Sequence, residues 1–590
     1  MRDGNTSWPV RSGVVPVSAA FSTVEGDRWS SAVKALAALA IAVSALFAAR
    51  SAWLGYALVR PAQFRDQINT IQEYLLWLDG QYHLAYLWSF HNEHRLLTSR
   101  LLFLIDGVYF DFSNRFLIAS IYSGLLLITF IFTALALKAP TASRIAAGTL
   151  ALLGIGWSVS QFENLTMGFQ TQFMLVHLFA FACFFCFIEM LSAVGAWRRL
   201  AWLALACAAN GLGMLSSAGG VMIGFAAIGT CLPLRAWNRF VAIFIVFHAA
   251  AAAAYFIGVP DHPGAHGAAI LDMGRYFLRC LGSIARTRPH APALLGLAML
   301  SIAIFLSLRS LRKVADRAGL ILLAVIWFVI AQAAATTVGR AGLGIEQALS
   351  SRYATQSAIF AMAIIALCWR SLPTATARCA TIIAVLVATF VANDEQNVRE
   401  AEDSIAARDT AMFSFINGVY APSQIDFIYP DAPTLERVYQ RLAELRKGPF
   451  ALSAAVYRPP LNSVTVPDVA KLPACRAHID SVSDHTTWTE ISGWFDAHGW
   501  IFAYTDAGRL VGYTTSSIRR PEIASALSLP EDRLGFDLFL NNDRIAGERL
   551  RLIAVSPAPA TPCIIALPTG SEALRRGNAN PAPGGLSALP

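Results

Sequence analysis

Long apolar runs recur along the chain, and they limit its fold more than any other feature. The runs are about 17–23 residues long with few or no charges, which is the length an α-helix needs to cross a bilayer. Only 14% of the residues are charged, against roughly 25% in an ordinary soluble protein. The pattern predicts an all-α polytopic membrane domain.

Eleven of these runs are predicted transmembrane helices. Their approximate bounds are 33–49, 116–137, 145–160, 169–190, 199–214, 217–234, 239–259, 291–308, 318–338, 352–369 and 375–392. The break "NGLGMLSSAGG" at 210–220 separates the fifth run from the sixth. Merging these two runs would reverse the orientation of everything that follows, so the topology needs a second signal.

Basic side chains supply that signal, because they are concentrated in alternate loops. They are Arg2, Arg11, Arg28 and Lys34 in and beside the amino-terminal tail and then Lys138, Arg144, Arg198, Arg199, Arg235, Arg239, Arg309, Arg312, Lys313, Arg317, Arg370 and Arg378. The short loops at 161–168 and 210–220 contain no Lys or Arg. Cytoplasmic loops of membrane proteins are enriched in Lys and Arg. The alternation therefore predicts a bacterial inner-membrane protein with a cytoplasmic amino terminus and a periplasmic or extracellular carboxy-terminal region.

The chain divides into five predicted regions. A cytoplasmic tail (1–32) precedes a transmembrane domain (33–392), whose external loop 50–115 is long. An extracytoplasmic helical linker (393–470) leads to a β-rich domain (471–570), where apolar residues alternate with polar ones, and a disordered tail (571–590) follows. We expect the β-rich domain to be a small sandwich. The net charge of +8 is a topology signal, and no nucleic-acid partner is predicted.

Two cysteines differ from the other seven because they lie at the ends of the β-rich domain. Cys475 and Cys563 would face an oxidising compartment, whereas the others lie in or beside apolar runs. We expect the two to form a disulfide.

The first cluster of polar residues lies in the long external loop, in "SFHNEHRLLTSRLLF" (89–103). Its candidate ligands are His91, Asn92, His94, Arg95 and Arg100, with Glu93 among them. On a helix, His91 would lie beside His94 and Arg95. Three interpretations remain open: a metal site, a hydrogen-bonded structural turn, or an anion site in which Arg95 and Arg100 face phosphate. The spacing matches no zinc signature, so a divalent metal is not indicated and no cofactor is predicted.

Two further clusters lie on the same predicted side of the membrane. The first, "SVSQFENLTMGFQTQF" (158–173), contains Glu163, Asn164 and Gln170, which either line a cavity or face water at the membrane edge. The second, "TTVGRAGLGIEQALSSRY" (336–353), contains two arginines around a glycine-rich turn. Arg340, Arg352 and Tyr353 in this stretch are compatible with a phosphate or diphosphate site, or with a tight turn whose arginines snorkel.

Several of these motifs carry a resemblance. The layout resembles the GT-C superfamily of membrane glycosyltransferases, with many spans, a long first external loop and an external carboxy-terminal domain. The motifs His91-Asn92-Glu93-His94-Arg95, "ENLTMGFQTQF" and "GRAGLG…SRY" are similar to those of a group of uncharacterised bacterial membrane proteins. The likeness covers about residues 50–390 and the pattern "SGWF…RRPEIASALSL…GFDLFL". One departure is that GT-C enzymes have one or two acidic residues soon after the first span, whereas here Asp66 stands without a second carboxylate beside it.

The resemblance implies a sugar transfer from a polyprenyl-phosphate donor to an extracytoplasmic glycan, lipid or protein, with membrane lipid as a further partner. Asp66 is then the expected base, with Glu93 as the second choice. Arg95, Arg340 and Arg352 would hold the donor phosphate, while Glu163 and Gln170 would line the pocket. The alternative is a non-catalytic transporter or assembly component for envelope polysaccharide, although the chain shows no paired halves of the kind common in transporters.

Overall fold

The computed structural model describes residues 31–260, 267–312, 316–372, 374–459, 472–545, 547–556 and 562–568. Residues 1–30 of the predicted cytoplasmic tail and the whole predicted tail 571–590 lie outside the described residues. The described chain consists of a helical bundle, a helical linker and a carboxy-terminal pair of β-sheets.

The helices of the bundle and of loop one (50–115) are α1 (Ser31–Leu58), α2 (Gln67–Leu78), α3 (Ala85–Trp88), α4 (Leu97–Tyr109), α5 (Arg115–Ala136), α6 (Ala142–Gly156), α7 (Phe162–Thr166), α8 (Thr171–Ser192), α9 (Ala196–Met214), α10 (Met222–Gly229), α11 (Cys231–Leu234), α12 (Arg239–Phe256), α13 (Ile270–Leu281), α14 (Ala291–Arg312), α15 (Arg317–Arg340), α16 (Ala354–Ser371) and α17 (Ala375–Ala392). The linker contains α18 (Glu395–Ile416), α19 (Pro422–Ile428) and α20 (Ala432–Leu445). The β-rich domain adds the short helices α21 (Pro521–Leu527) and α22 (Asn542–Ile545).

The bundle is that of a multi-pass membrane protein. Among the described residues, eight helices are long and apolar enough to cross a bilayer. The number rises to nine if α6 and the segment Val159–Thr166, which meet at a bend of 49°, form one span.

This number is smaller than the eleven spans predicted from the sequence. Three predicted spans are missing from the eight: one is the bent segment formed by α6 and Val159–Thr166, and the other two are the fifth and sixth predicted spans, α9 and Ala218–Leu234. Arg198 and Arg199 in the first turn of α9 lower its mean hydropathy, and Ala218–Leu234 is a shorter apolar segment that is broken into several turns.

The bend after α6 brings the second polar cluster into position, and one side chain stabilises it. Backbone groups released from a helix inside a membrane need other partners. Asn393 provides them: its Oδ1 accepts from the Val159 N–H at 3.1 Å, and its Nδ2 donates to the Gly154 carbonyl at 2.8 Å. The chain can therefore leave the α6 axis and continue into α7, which carries Glu163.

Several ion pairs gather helix ends at one end of the bundle, which we call the basic end. Arg370, at the end of α16, binds the Asp316 carboxylate before α15 and donates to the Leu135 and Leu137 carbonyls at the end of α5. Arg317 Nη1 lies 3.1 Å from Glu189 Oε1 near the end of α8. The opposite end of the bundle contains loop one, α7, the α15–α16 junction and the linker, and we call it the site end.

The β-rich domain consists of two antiparallel four-stranded sheets. The strands, numbered after the two of loop one described below, are β3 (Ala477–Asp484), β4 (Trp488–Phe495), β5 (Trp500–Thr505), β6 (Leu510–Thr515), β7 (Ile518–Arg519), β8 (Arg533–Asn541), β9 (Leu550–Val555) and β10 (Pro562–Ile565). Their orders are β10-β9-β5-β6 and β3-β4-β8-β7. Both sheets contribute to one apolar core, including Ile491, Ile501 and Leu538, as in a sandwich. A turn at 506–508 joins β5 to β6, and Gly508 there has φ +79°.

The ends of the sandwich are joined by a disulfide. Cys475 and Cys563 are bonded across a sequence separation of 88 residues, and their Cα atoms lie 5.0 Å apart. The linker attaches the sandwich to the site end of the bundle. Asn417 Nδ2 donates to the carbonyls of Tyr513 and Phe539, each at 3.0 Å, so it contacts both sheets. Arg60 of loop one in turn binds Asp409 of α18 at 2.9 Å.

Candidate functional site

The HNEHR stretch forms a two-stranded hairpin rather than the helix considered from the sequence. Strand β1 (Phe90–His91) pairs with β2 (His94–Arg95), and His91 lies directly opposite His94. Asn92 has φ +51°, a left-handed conformation that Asn adopts more readily than most residues. Directly opposed residues lie on the same face of a hairpin. The two imidazoles are therefore neighbours, as expected, but through strand pairing and not through the spacing of a helix.

His91 connects Asp66 to a chain of polar groups. Its Nε2 lies 3.3 Å from Asp66 Oδ2, and its Nδ1 lies 3.4 Å from Asn69 Nδ2. Tyr429 of the linker donates to Asn69 Oδ1 at 2.5 Å. An amide N–H facing Nδ1 favours the tautomer that carries its proton on Nε2, directed towards Asp66.

Asp66 is the accessible carboxylate of this chain. Its side chain is 43% exposed, whereas that of His91 is 9% exposed. Burial alone would raise the pKa of Asp66, but the hydrogen bond and charge of His91, assisted by Arg352, outweigh it and lower the pKa. Asp66 is therefore ionised at neutral pH, held in place from one side and open to solvent on the other.

His94 forms a second carboxylate–imidazole pair with Glu93. The backbone N–H of Ala218 donates to His94 Nδ1 at 3.2 Å, and His94 Nε2 lies 3.5 Å from Glu93 Oε1. Burial lowers the pKa of His94 to about 4, and the charge of Arg340 adds to this effect although Glu93 opposes it. The imidazole is therefore neutral and directs its Nε2–H towards Glu93.

Glu93 is more constrained than Asp66. It accepts a hydrogen bond from Arg340 Nη2, and its carbonyl accepts from the Tyr255 hydroxyl at 3.0 Å. Burial would raise the pKa of Glu93, but His94 and Arg340 outweigh that effect and lower it. A carboxylate that is already paired with a guanidinium is a poorer base than one that faces solvent, so the geometry favours Asp66 over Glu93.

The contacts of Arg95 and Arg100 favour the hydrogen-bonded structural turn over the anion site for these two arginines. Arg95 donates to the carbonyls of Trp88, Tyr255 and Ile257 and lies over the Phe90 ring at 3.9 Å. Arg100 is only 4% exposed and binds Glu73 and the carbonyls of Leu87 and Ser89. Their guanidinium groups hold loop one together and have few donors left for a ligand.

The second and third polar clusters meet at the start of α16. Glu163 Oε2 accepts from the Arg352 backbone N–H at 3.2 Å and from Ser350 Oγ at 3.3 Å. Asn164 Nδ2 donates to the Arg352 carbonyl at 2.9 Å and to Thr355 Oγ1 at 2.7 Å. Asn164 therefore joins α7 to α16, and Glu163 keeps a carboxylate beside the Arg352 backbone.

Arg352 differs from the other arginines of the site end. Among the described residues, its guanidinium makes no ion pair with a carboxylate, although it lies 5.5 Å from the centre of the Tyr353 ring. Its side chain hydrogen-bonds Tyr353 and interacts electrostatically with Glu163 and Asp66. Arg352 is thus a cation close to the accessible carboxylate and available to an anionic ligand.

Gln170 and Tyr353 are buried beside these groups. Gln170 is 6% exposed, and its Oε1 has no hydrogen-bond partner in the described part of the chain. Tyr353 is 7% exposed and interacts with Tyr276 of α13. The Gln170 side chain therefore has a carbonyl oxygen without a donor among the described residues, whereas the Tyr353 ring packs against the Arg352 guanidinium.

The structure also adds residues that the sequence pattern did not single out. Arg408 of α18 is 3% exposed and lies 4.3 Å from the centre of the Phe64 ring. Its Nη2 donates to Ser404 Oγ at 3.2 Å, whereas its Nε has no partner within the described residues. Arg408, Asn69 and Tyr429 occur in stretches where polar side chains are common, so only their positions distinguish them.

The carboxylates and imidazoles do not converge on a metal position. Within the residues that the structure describes, no group of three or more His, Cys, Asp or Glu side chains is arranged to hold a metal ion. Two cavities, one at the basic end and one between the linker and the sandwich, are lined by other residues. The candidate site is a cluster of polar side chains at the site end. Comparisons of the chain with protein-family models, with curated proteins and with solved structures found no match.

Proposed function

We propose that the protein is a GT-C-like inverting glycosyltransferase that uses a polyprenyl-phosphate sugar as donor and an extracytoplasmic glycan, lipid or protein as acceptor. The observation that carries the proposal is the proximity of two groups from distant parts of the chain. Asp66 is an accessible, ionised carboxylate, and Arg352 is a nearby cation without a carboxylate partner among the described residues. Sugar transfer from a lipid phosphate needs one group of each kind.

Each group has a defined task in this reaction. Asp66 accepts the proton of the acceptor hydroxyl as the acceptor oxygen forms a bond to the anomeric carbon of the sugar. The bond between that carbon and the phosphate oxygen breaks, and its electron pair leaves with polyprenyl phosphate. Arg352 stabilises the negative charge that develops on this phosphate. His91 is a positioning residue, because it orients Asp66 and keeps it ionised.

The proposal includes a topology of eleven crossings in a bacterial inner membrane, with the basic end cytoplasmic. Contacts at both ends of α9 support it. Arg199 Nε donates to the Ala193 carbonyl beside α8, whereas Thr98 of loop one binds Ser216, which follows α9, at 2.8 Å. Ala218 then contacts His94 at the site end, and the chain returns through α10 and α11 to Arg235. Helix α9 and the segment after it would thus be the two additional spans.

The experiment does not require knowledge of the sugar, because every such transfer releases polyprenyl phosphate. Binding of a short-chain polyprenyl monophosphate to the purified full chain would be measured for the wild type, Arg352→Gln and the exposed control Arg275→Gln. Loss of one charge-assisted contact predicts about tenfold or greater weakening in Arg352→Gln only. Equal binding by all three proteins would contradict the proposed donor site.

The alternative, a transporter or assembly component for envelope polysaccharide, has one observation in its favour. Asn210 Nδ2 and His248 Nδ1 lie 3.1 Å apart between α9 and α12, and buried polar groups at membrane depth often mark a substrate path. Uptake into proteoliposomes that depends on Asn210 and His248 but is unaffected by Asp66→Asn would favour this function over transfer.

A further inference from the structure

The basic end contains a cavity. Several of the Lys and Arg side chains that line it belong to the loops from which the membrane topology was predicted. Its volume is about 570 Å³. The cations in its lining come from three separate parts of the chain: Lys34 from the start of α1, Lys138 and Arg144 from the α5–α6 connection and the first turn of α6, and Arg370 and Arg378 from the end of α16 and the first turn of α17. Positive charges repel one another at close range, so a ligand that brings negative charge would stabilise this arrangement.

The lining is unbalanced in charge. The five basic residues are accompanied by no Asp or Glu among the described residues that line the cavity. Arg370 is bound to Asp316, which lies outside the lining, and Arg144 Nη1 donates to the Ala139 carbonyl at 3.4 Å. Lys34, Lys138 and Arg144 are exposed. Among the described residues of the lining, Lys34, Lys138 and Arg144 therefore give the mouth a net positive charge.

The deeper walls are apolar, and they lie between predicted membrane helices. The lining follows α6 from Arg144 to Leu152, which spans about 12 Å at 1.5 Å per residue. It also follows α1 from Lys34 to Ile41 and α17 from Arg378 to Val385, with Trp369 and Ile365 on α16. A small soluble anion would leave these walls without a partner, whereas an acyl chain would fill them.

From this combination we infer that the cavity is a binding site for an anionic phospholipid of the surrounding bilayer. The phosphate group lies at the mouth among Lys34, Lys138 and Arg144, and part of one acyl chain lies between α1, α6, α16 and α17. Basic pockets between membrane helices are suited to anionic headgroups. The site lies at the opposite end of the bundle from Asp66, so it is independent of the proposed transfer reaction.

The test measures lipid binding to the full chain in detergent by native mass spectrometry. The probes are dioleoyl phosphatidylglycerol, dioleoyl phosphatidylcholine with the same acyl chains, and glycerol 3-phosphate as the headgroup without chains. We expect phosphatidylglycerol to bind at least tenfold more tightly than phosphatidylcholine. Glycerol 3-phosphate should not displace it at equal concentration. Equal binding of both lipids, or displacement by the free headgroup, would overturn the inference.

A double variant and a matched control test the contribution of the charged mouth. In the double variant Lys138→Gln/Arg144→Gln, phosphatidylglycerol should bind about 30-fold more weakly, because each basic group near an anionic headgroup contributes about fivefold. The control Arg198→Gln/Arg235→Gln removes two charges that do not line the cavity and should change binding less than twofold. Weakening of similar size in both variants would mean a general surface attraction and would contradict a built site.

Ala147→Trp tests the walls with every charge in place. Ala147 lines the cavity and is half-buried, so an indole there would occupy space assigned to the acyl chain. We expect at least fivefold weaker binding of phosphatidylglycerol, while gel filtration and circular dichroism remain those of the wild type. Unchanged binding would place the lipid on the surface outside the cavity and would refute the inference even if the charge variants behaved as expected.

Discussion

The site end and the basic end of the bundle both gather arginine or lysine residues from distant parts of the chain, but they use them differently. At the site end, Arg340 is paired with Glu93, and Arg95 donates to three carbonyls. Arg352 alone among the arginines proposed for the donor has neither a carboxylate ion pair nor a carbonyl acceptor among the described residues, although it hydrogen-bonds Tyr353. At the basic end, five cations line one cavity with no acidic residue in the lining that the structure describes. The number of charged residues in a loop therefore does not show whether they bind a ligand or stabilise the fold until their partners are known.

The largest effect is expected at the site end, from Asp66→Asn. Removal of a general base lowers the rate of transfer by about 10²–10⁴-fold. The measurement is turnover of polyprenyl-phosphate sugars by the purified protein. Asp79→Asn is the matched control, because Asp79 is also a loop-one carboxylate, is 48% exposed and pairs with Arg441. Turnover in Asp66→Asn within a factor of two of the wild type would remove Asp66 as base.

The second prediction compares two site-end arginines through the free energy of unfolding. Arg95→Ala leaves several buried carbonyls without their charged donor, so we expect a loss of about 3 kcal/mol or more. Arg352→Ala removes no carboxylate partner within the described residues and should cost about 1 kcal/mol or less. Thermal or denaturant unfolding in detergent measures both. A reversed order would mean that the structural and ligand-binding roles are assigned to the wrong arginines.

A smaller effect concerns acid stability and depends on His94. The pKa of His94 is lowered from 6.5 to about 4 by burial, so the unfolded chain binds a proton at this residue at a higher pH than the folded protein. Stability should therefore fall as the pH is lowered from about 6.5 to 4. Gln can accept from Ala218 N–H and donate to Glu93 without titrating, so His94→Gln should reduce the slope of the unfolding temperature against pH. An unchanged slope would show that His94 is not the group responsible.

The smallest effect is expected at the basic end. Arg370→Gln loses the Asp316 ion pair and the contacts with the Leu135 and Leu137 carbonyls, and it should lower the free energy of unfolding by about 1–2 kcal/mol. Lys138→Gln should change it by less than about 0.5 kcal/mol, because Lys138 is exposed. If Lys138→Gln were the more destabilising variant, the cations of this end would serve stability rather than ligand binding.

Some of the candidate site followed from the sequence, and some did not. The stretches 89–103, 158–173 and 336–353 stood out because polar residues are dense there between apolar runs, and they meet at one end of the bundle. The roles of their arginines could not be assigned in the same way. Arg95 and Arg352 look alike in the sequence, and only the carbonyls around Arg95 distinguish them. The helix considered for His91 and His94 was wrong because Asn92 adopts a turn conformation.

The sequence by itself determined the membrane class, the β-rich carboxy-terminal region and the grouping of basic side chains in alternate loops. These properties depend on the local length and period of apolar runs, which a bilayer or a sheet face selects directly. The pairing of Asp66 with His91 and the convergence of five cations on one cavity were decided by the tertiary structure. Each depends on contacts between residues far apart in the chain, and the energy of a charge is set by the groups that packing brings to it.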